Sequence, residues 1–289
     1  MSDSTILERL DRFIDRESPH MSKFLYRMWE DQQDAITYRE LREAILNGEL
    51  STEYLEIWQQ DYSFYLSDCY GPLAQKAIEA AKDDLVAMYG VELYDPVMGA
   101  MDEYISTHGA KLIREISIKQ FNAINTLVRQ AAMTSTLTVD ELARSIRPCI
   151  GLTERQTAQV KRFYDQLRED GVPRKKAQSR QLSYAAKLHR RRAASIAQTE
   201  MATAYNHATQ KSVEDSIKHG FCGEDSTRYW KTAKDEGVCK ICGAVNGETV
   251  GMNDNFSNGF FAPPAHPVCR CALGYRLTKP KRKRPAEGV

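Results

Sequence analysis

The sequence predicts a mainly α fold: an elongated helical N-terminal region followed by an α+β C-terminal domain with a small Cys/His knuckle. Three observations carry this. Apolar residues recur at helical spacing, punctuated by helix caps, through the first two-thirds of the chain. After about residue 220 the texture changes to short strand-like runs separated by Gly237, Gly243, Gly247, Gly251 and Gly259. Cys239, Cys242, Cys269 and Cys271 then crowd together near the C-terminus. The expected division is 1–172, helical, and 173–289, the knuckle-bearing domain with a basic tail.

The elements follow in order. Ile6, Leu7, Leu10, Phe13 and Ile14 share one helical face. Thr37 caps a helix that Asn47-Gly48 stops, and Ser51 caps the next. That helix carries Tyr54, Leu55, Trp58, Tyr62, Tyr65 and Leu66 as a packing stripe. Gly71-Pro72 is expected to break the chain before a helix over Ala74–Tyr89, ended by Gly90. A long helical region follows Asp95-Pro96, with Gly99 and Gly109 as places where it could be interrupted. Thr138-Val-Asp-Glu141 and Thr153-Glu-Arg-Gln156 are capping boxes, so 138–170 reads as a helical pair pivoting at Pro148 and Gly151. Gly171-Val-Pro173 is the linker candidate. Beyond it a helix runs through Ile196, Glu200 and His207 to about Ile217, and Tyr229-Trp-Lys-Thr reads as a strand.

Composition bounds the function. The chain has 289 residues, 42% hydrophobic and 27% charged, enough to bury a core and unlike a disordered chain. No run is apolar enough to span a membrane, and the N-terminus has no secretory pattern, so a soluble protein of a cytoplasm is expected. The net charge of +1 hides an asymmetry: residues 1–110 carry 9 Lys and Arg against 22 Asp and Glu, and the remainder 31 against 17. An acidic half suits a protein partner and a basic half an anionic one. No phosphate-binding glycine loop, dinucleotide fingerprint, H-E-x-x-H zinc helix or deaminase signature is present.

Cys239-Lys-Ile-Cys242 can chelate one ion from a tight turn, and His266-Pro-Val-Cys269-Arg-Cys271 offers the remaining ligands. Sulfur and imidazole favour zinc over the oxygen-seeking magnesium and calcium. A structural zinc would supply folding free energy to a Gly- and Pro-rich segment. There are five candidates for four places. The four cysteines are the first choice, with His266 replacing one of them or packing beside the site. Free thiols and disulfides are the competing readings. A thiol enzyme built on Cys269 and His266 lacks an orienting third group. Cys69, Cys149 and Cys222 read as small apolar residues.

From Leu137 to Leu273 the order of motifs resembles the family of phage head morphogenesis proteins named after protein F of phage Mu. The residues that carry the resemblance are Arg192-Ala-Ala-Ser-Ile-Ala-Gln-Thr-Glu200, Asn206, then Trp230, Thr232 and Asp235 ahead of Cys239-x-x-Cys242, and Pro263-Pro-Ala-His-Pro-Val-Cys-Arg-Cys271. Gln198 stands where the family usually has arginine. The resemblance implies a non-enzymatic minor head protein of a tailed bacteriophage, inside the capsid near the portal, made in the host cytoplasm. It implies roles in procapsid assembly, DNA packaging or genome ejection. The implied partners are the portal protein, the major capsid or scaffolding protein and double-stranded DNA, with a homo-oligomer left open.

Two further groups of residues follow from this reading. Arg174, Lys175, Lys176, Arg180, Lys187, Arg190, Arg191 and Arg192 occur with no acid among them, and Lys279, Lys281, Arg282, Lys283 and Arg284 form the basic tail. Both are candidates for non-specific DNA contact through counterion release, against the alternative of a solvated helix face. Glu200, Asn206, Trp230 and Asp235 are expected to be structural, the first two satisfying backbone groups where the helix meets the knuckle and Trp230 plugging the core. The runner-up function is a zinc-knuckle nucleic-acid-binding protein outside the virion, and the third is a metal-dependent or thiol enzyme.

Overall fold

Long amphipathic runs with few breakers give long helices, and the computed structural model consists chiefly of them. It describes residues 4–90, 98–133, 138–233 and 237–280. In order these form α1 (Ser4–Ala35), α2 (Tyr38–Asn47), α3 (Glu53–Tyr65), α4 (Gly71–Tyr89), α5 (Met98–Ala132), α6 (Val139–Ile146), α7 (Glu154–Glu169), α8 (Arg174–Lys218), β1 (Thr227–Lys231), α9 (Lys240–Ala244), β2 (Thr249–Gly251) and β3 (Ala272–Arg276). The strands make one antiparallel sheet in the order β2-β1-β3, with Trp230 opposite Leu273 and Thr227 opposite Gly251. The fold is thus mainly α with a small α+β region near the C-terminus.

The chain divides into two compact units, each assembled from separated segments. One comprises Met1–Pro19, Gly71–Ser106 and Ser195–Val289; the other comprises His20–Tyr70 and Thr107–Ala194. Residues 172 and 173 both lie in the second unit.

Local chemistry explains most boundaries. Thr37, Thr138 and Thr153 each accept from the backbone N–H three residues on, while Glu40, Glu141 and Gln156 accept from the cap's own N–H. Gly48 closes α2 in the left-handed conformation. At α3 the residue before the helix is Thr52, which makes no side-chain cap bond; Ser51 Oγ supplies it, accepting from Glu53 N at 3.3 Å, as expected. Other expectations are corrected. Gly71-Pro72 does not interrupt the chain, because a π turn over Leu66–Tyr70 leads straight from α3 into α4. Pro72 is the second residue of α4, directly after that π turn. Gly99 and Gly109 leave α5 unbroken; Gly109 lies against Leu66, where a β-carbon would stand 2.6 Å from Cδ1. The expected linker at Gly171-Val-Pro173 is a tight turn in which Val172 N donates to the Leu167 carbonyl at 2.9 Å. From it α8 runs unbroken for 45 residues.

The second unit has a polar chain through its core. Trp29 Nε1 donates to Tyr62 OH (2.7 Å), Tyr62 to Gln120 Oε1 (2.8 Å), Gln120 Nε2 to Gln32 Oε1 (2.9 Å), and Gln32 Nε2 to Asp61 (2.9 Å). Each buried polar group is partnered, which makes this chain a specifier of packing. The α6–α7 turn is held beside it by His189 Nε2 against the Ile150 carbonyl (2.7 Å), and burial pushes that imidazole down to about 4. Gly151, at φ +90°, fits beneath Trp29, where a β-carbon would be 2.5 Å from Cγ.

These contacts separate two glycines of similar backbone conformation. Gly151→Ala must displace a buried indole as well as adopt a left-handed backbone, and should lower the unfolding free energy by about 3 kcal/mol or more. Gly171→Ala, at φ +75° with nothing within 4 Å of the added carbon, should lose only about 1 kcal/mol. Urea denaturation of the two variants checks the difference.

Candidate metal centre

The Cys-rich segment is placed by β1, α9, β3 and the part of α8 from Ser195 onward, all within the first unit. Cys239 is the N-cap of α9, in extended conformation, and its Sγ accepts from Cys242 N at 3.4 Å. That turn puts Cys242 inward, fully buried, with its sulfur 3.7 Å from Cys269 Sγ. The separation is far beyond a disulfide's roughly 2.05 Å, and all seven cysteines are free thiols. It matches the roughly 3.8 Å edge of a tetrahedron whose metal–sulfur bonds are about 2.3 Å. The ligand atoms of Cys239, Cys242 and His266 lie within 4.8 Å of one another, as do those of Cys242, Cys269 and Cys271. Cys242 belongs to both groups, so all five expected residues meet around one sulfur. They line a cavity of about 200 Å³ together with Val238, Val268 and Arg270. This donor set could hold a metal ion.

The protonation pattern suits such a role. The backbone N–H of Cys242 holds Cys239 below the ordinary thiol range. Cys271 donates its S–H to Cys269, so Cys269 is pushed down and Cys271 up. Burial, then the charge on Cys269, pushes Cys242 up to about 12. His266 Nδ1 donates to the Pro267 carbonyl at 2.9 Å, the principal cause of its raised pKa, and leaves Nε2 with the lone pair that a metal would take.

The knuckle is tied down by residues that motif reading did not single out. Val268 has φ +59°, an unusual conformation for a β-branched residue, and its N–H donates to Thr199 Oγ1 on α8 at 3.0 Å. Arg270 reaches Asp11 of α1 at 2.9 Å. Arg228, on β1, is wholly buried with no ion pair among the described residues; it donates to the Asp254 carbonyl (2.6 Å) and Gln210 Oε1 (3.3 Å) and lies 3.8 Å from the Phe261 ring centroid. Its only sequence signal is the alternation of β1, which puts it on the same buried face as Trp230.

Among the residues expected to be structural, Asn206 Nδ2 donates to the Cys271 carbonyl (3.2 Å) and its Oδ1 accepts from Leu273 N (3.0 Å). Trp230 is fully buried, edge-on to Phe256 at 5.2 Å and beside the Cys271 sulfur. Glu200 is buried on α8, and Asp235 lies outside the described residues.

The expected DNA-contact residues separate into two kinds. Lys175, Lys176, Arg180, Lys187, Arg190 and Arg191 are exposed on α8, and Arg174 is half-buried and paired with Glu141 at 3.1 Å. Arg192 is a correction. At 8% exposure it turns inward, donates to the Gly151 carbonyl and stacks over Trp29 at 5.0 Å, so its charge belongs to the packing of the second unit. Lys279 is exposed, whereas Lys281, Arg282, Lys283 and Arg284 lie outside the described residues.

Because Cys242 is common to both ligand groups, Cys242→Ser should weaken Co²⁺ binding by the protein and lower its thiolate-to-metal absorption. Cys149→Ser, far from the cluster in sequence and in the other unit, should leave it unchanged. Chelation should lower the melting temperature of the unsubstituted protein more than that of Cys242→Ser.

No curated protein and no solved structure matches this chain. The family model for Phage Mu protein F like protein matches residues 122–274, just over half of the chain and all of the metal-type cluster. The chain belongs to the phage Mu protein F like family, a family of structural phage head proteins.

Proposed function

We propose that the protein is a non-enzymatic minor head protein that sits inside the capsid near the portal and meets packaged double-stranded DNA through α8, with a zinc ion stiffening its knuckle. In this reading it assembles in the host cytoplasm and acts in procapsid assembly, DNA packaging or genome ejection. Residues 1–172 supply the surface for portal, capsid or scaffolding protein, and 173–289 the DNA-facing and knuckle functions.

The observation that carries the DNA part is a stripe. Lys176, Arg180, Lys187, Arg190 and Arg191 are all exposed, and at 100° per residue they fall within about 100° of one another on α8. They span some 22 Å at about 1.5 Å per residue, with Ala177, Gln181, Ala185 and Leu188 buried on the other side. No acid interrupts residues 174–192. A one-sided row of cations suits a phosphate backbone and holds no base-reading geometry.

Cys239, Cys242, Cys269 and either Cys271 or His266 would hold the zinc. A bound zinc supplies cross-linking rather than chemistry here, since a full set of protein ligands leaves no open position. The chain's own contribution is to present sulfurs already gathered and largely shielded from water.

Binding of the full chain to duplex DNA, measured by fluorescence anisotropy at several salt concentrations, should be sequence-independent. The slope of log K against log[salt] should be about −4 to −5 for five phosphate contacts at roughly −0.9 each. Lys176→Ala/Arg180→Ala/Lys187→Ala should reduce it by about 3. Salt-insensitive binding, or none, overturns the DNA part. The head assignment predicts the chain in purified procapsids together with portal protein, and its absence from them overturns that part.

A further inference from the structure

We infer that the apolar groove between the second half of α1 and α3 is a self-association site, occupied by the same groove of a second copy related by a two-fold axis. The groove lies within the second unit and has a volume of about 630 Å³. The two helices run antiparallel along it: Phe24 meets Tyr65 at one end (5.8 Å between rings), and Gln32 meets Asp61 at the other (2.9 Å).

Three properties single out a second copy as the occupant. First, the groove is electrically polar along its length. His20, Lys23 and Arg27 line the end nearest Phe64, and Asp31 and Asp61 the end nearest Ile57. A two-fold axis through its middle lays the basic end of one copy on the acidic end of the other, at both ends at once. An isologous interface requires this self-complementarity. Second, the groove carries its own knobs. Phe64 is 65% and Ile57 46% exposed, large side chains standing at the rim of a hollow with room for several of them. Paired grooves would exchange these knobs and remove from water the apolar surface that each chain alone leaves exposed. Third, the floor is rigid, because Gln32 and Asp61 close the Trp29–Tyr62–Gln120 hydrogen-bonded chain beneath it. A preformed floor spares the interface the cost of ordering it.

The test is the mass of the full chain in solution, measured by sedimentation velocity over a concentration series. The unsubstituted chain should form a dimer. Phe64→Glu and, separately, Ile57→Lys should weaken it by about tenfold or more, with helical circular dichroism unchanged. Lys23→Glu/Arg27→Glu and Asp31→Lys should each weaken self-association, and mixing the two should restore dimers, because opposite ends again meet opposite charges. Raising the salt should narrow the difference between these variants. A chain that stays monomeric throughout overturns the inference and leaves the groove to the helix of another protein. A dimer indifferent to Phe64→Glu and to the charge exchange overturns it as well, since its interface then lies elsewhere.

Discussion

The Asn206 side chain is the tie on which the geometry of the Cys-rich region rests. Helix α8 has no backbone groups to spare for β3, yet Cys271 and Leu273 bring a carbonyl and an N–H to it in a buried setting. One amide serves both, donating to Cys271 and accepting from Leu273, and Nδ2 also reaches the Ala202 carbonyl of its own helix. A buried polar group without a partner costs about 1–3 kcal/mol, so this side chain sets the height of β3 along α8. Through β3 it sets Cys271, and through the Val268–Thr199 bond the neighbouring turn is set against the same helix. The ligand groups are thus anchored at one end by α8 and at the other by the α9 cap. The site is gathered by ordinary hydrogen bonds before any ion is considered.

The cations of the chain do two different jobs. Arg228 and Arg192 are buried and answered by carbonyl oxygens and aromatic faces, with no carboxylate salt bridge to either among the described residues. A guanidinium tolerates this because it is weakly hydrated and spreads its charge over a plane that stacks. The lysines and arginines of the α8 stripe keep their charge in water, where it is available to an anionic surface. Counting basic residues along the sequence merges the two kinds. The run Arg190-Arg191-Arg192 shows why: three like residues in a row on a helix point in three directions, and the third faces inward.

Much of the local architecture was legible because it depends on neighbours in sequence. The capping boxes at Thr37, Thr138 and Thr153 involve side chain and backbone three residues apart, so spacing suffices. The same holds for the Gly48 stop and for the Cys239-x-x-Cys242 turn, in which a thiol caps its own short helix. The Ser51 cap belongs with these, since its hydroxyl accepts from an N–H only two residues on, that of Glu53. The break expected at Gly71-Pro72 is absent because the register change is absorbed upstream, in the π turn over Leu66–Tyr70. Arg228 and the polar chain from Trp29 to Asp61 left no comparable trace, since their partners are distant in sequence.

The sequence alone determined that the chain is mainly helical, that its charge is divided, that its sulfurs cluster and that its last half carries the motifs of a phage head family. The first three follow from composition, period and spacing, and the last from the order of motifs shared with that family; none requires knowing what touches what. Tertiary structure alone decided that both compact units are built from separated segments, that Cys242 is the sulfur common to both ligand groups, and that Arg192 is core while Arg191 is surface. The physical reason is that burial and desolvation are set by all elements packed around a side chain at once, and no local stretch of sequence contains that information.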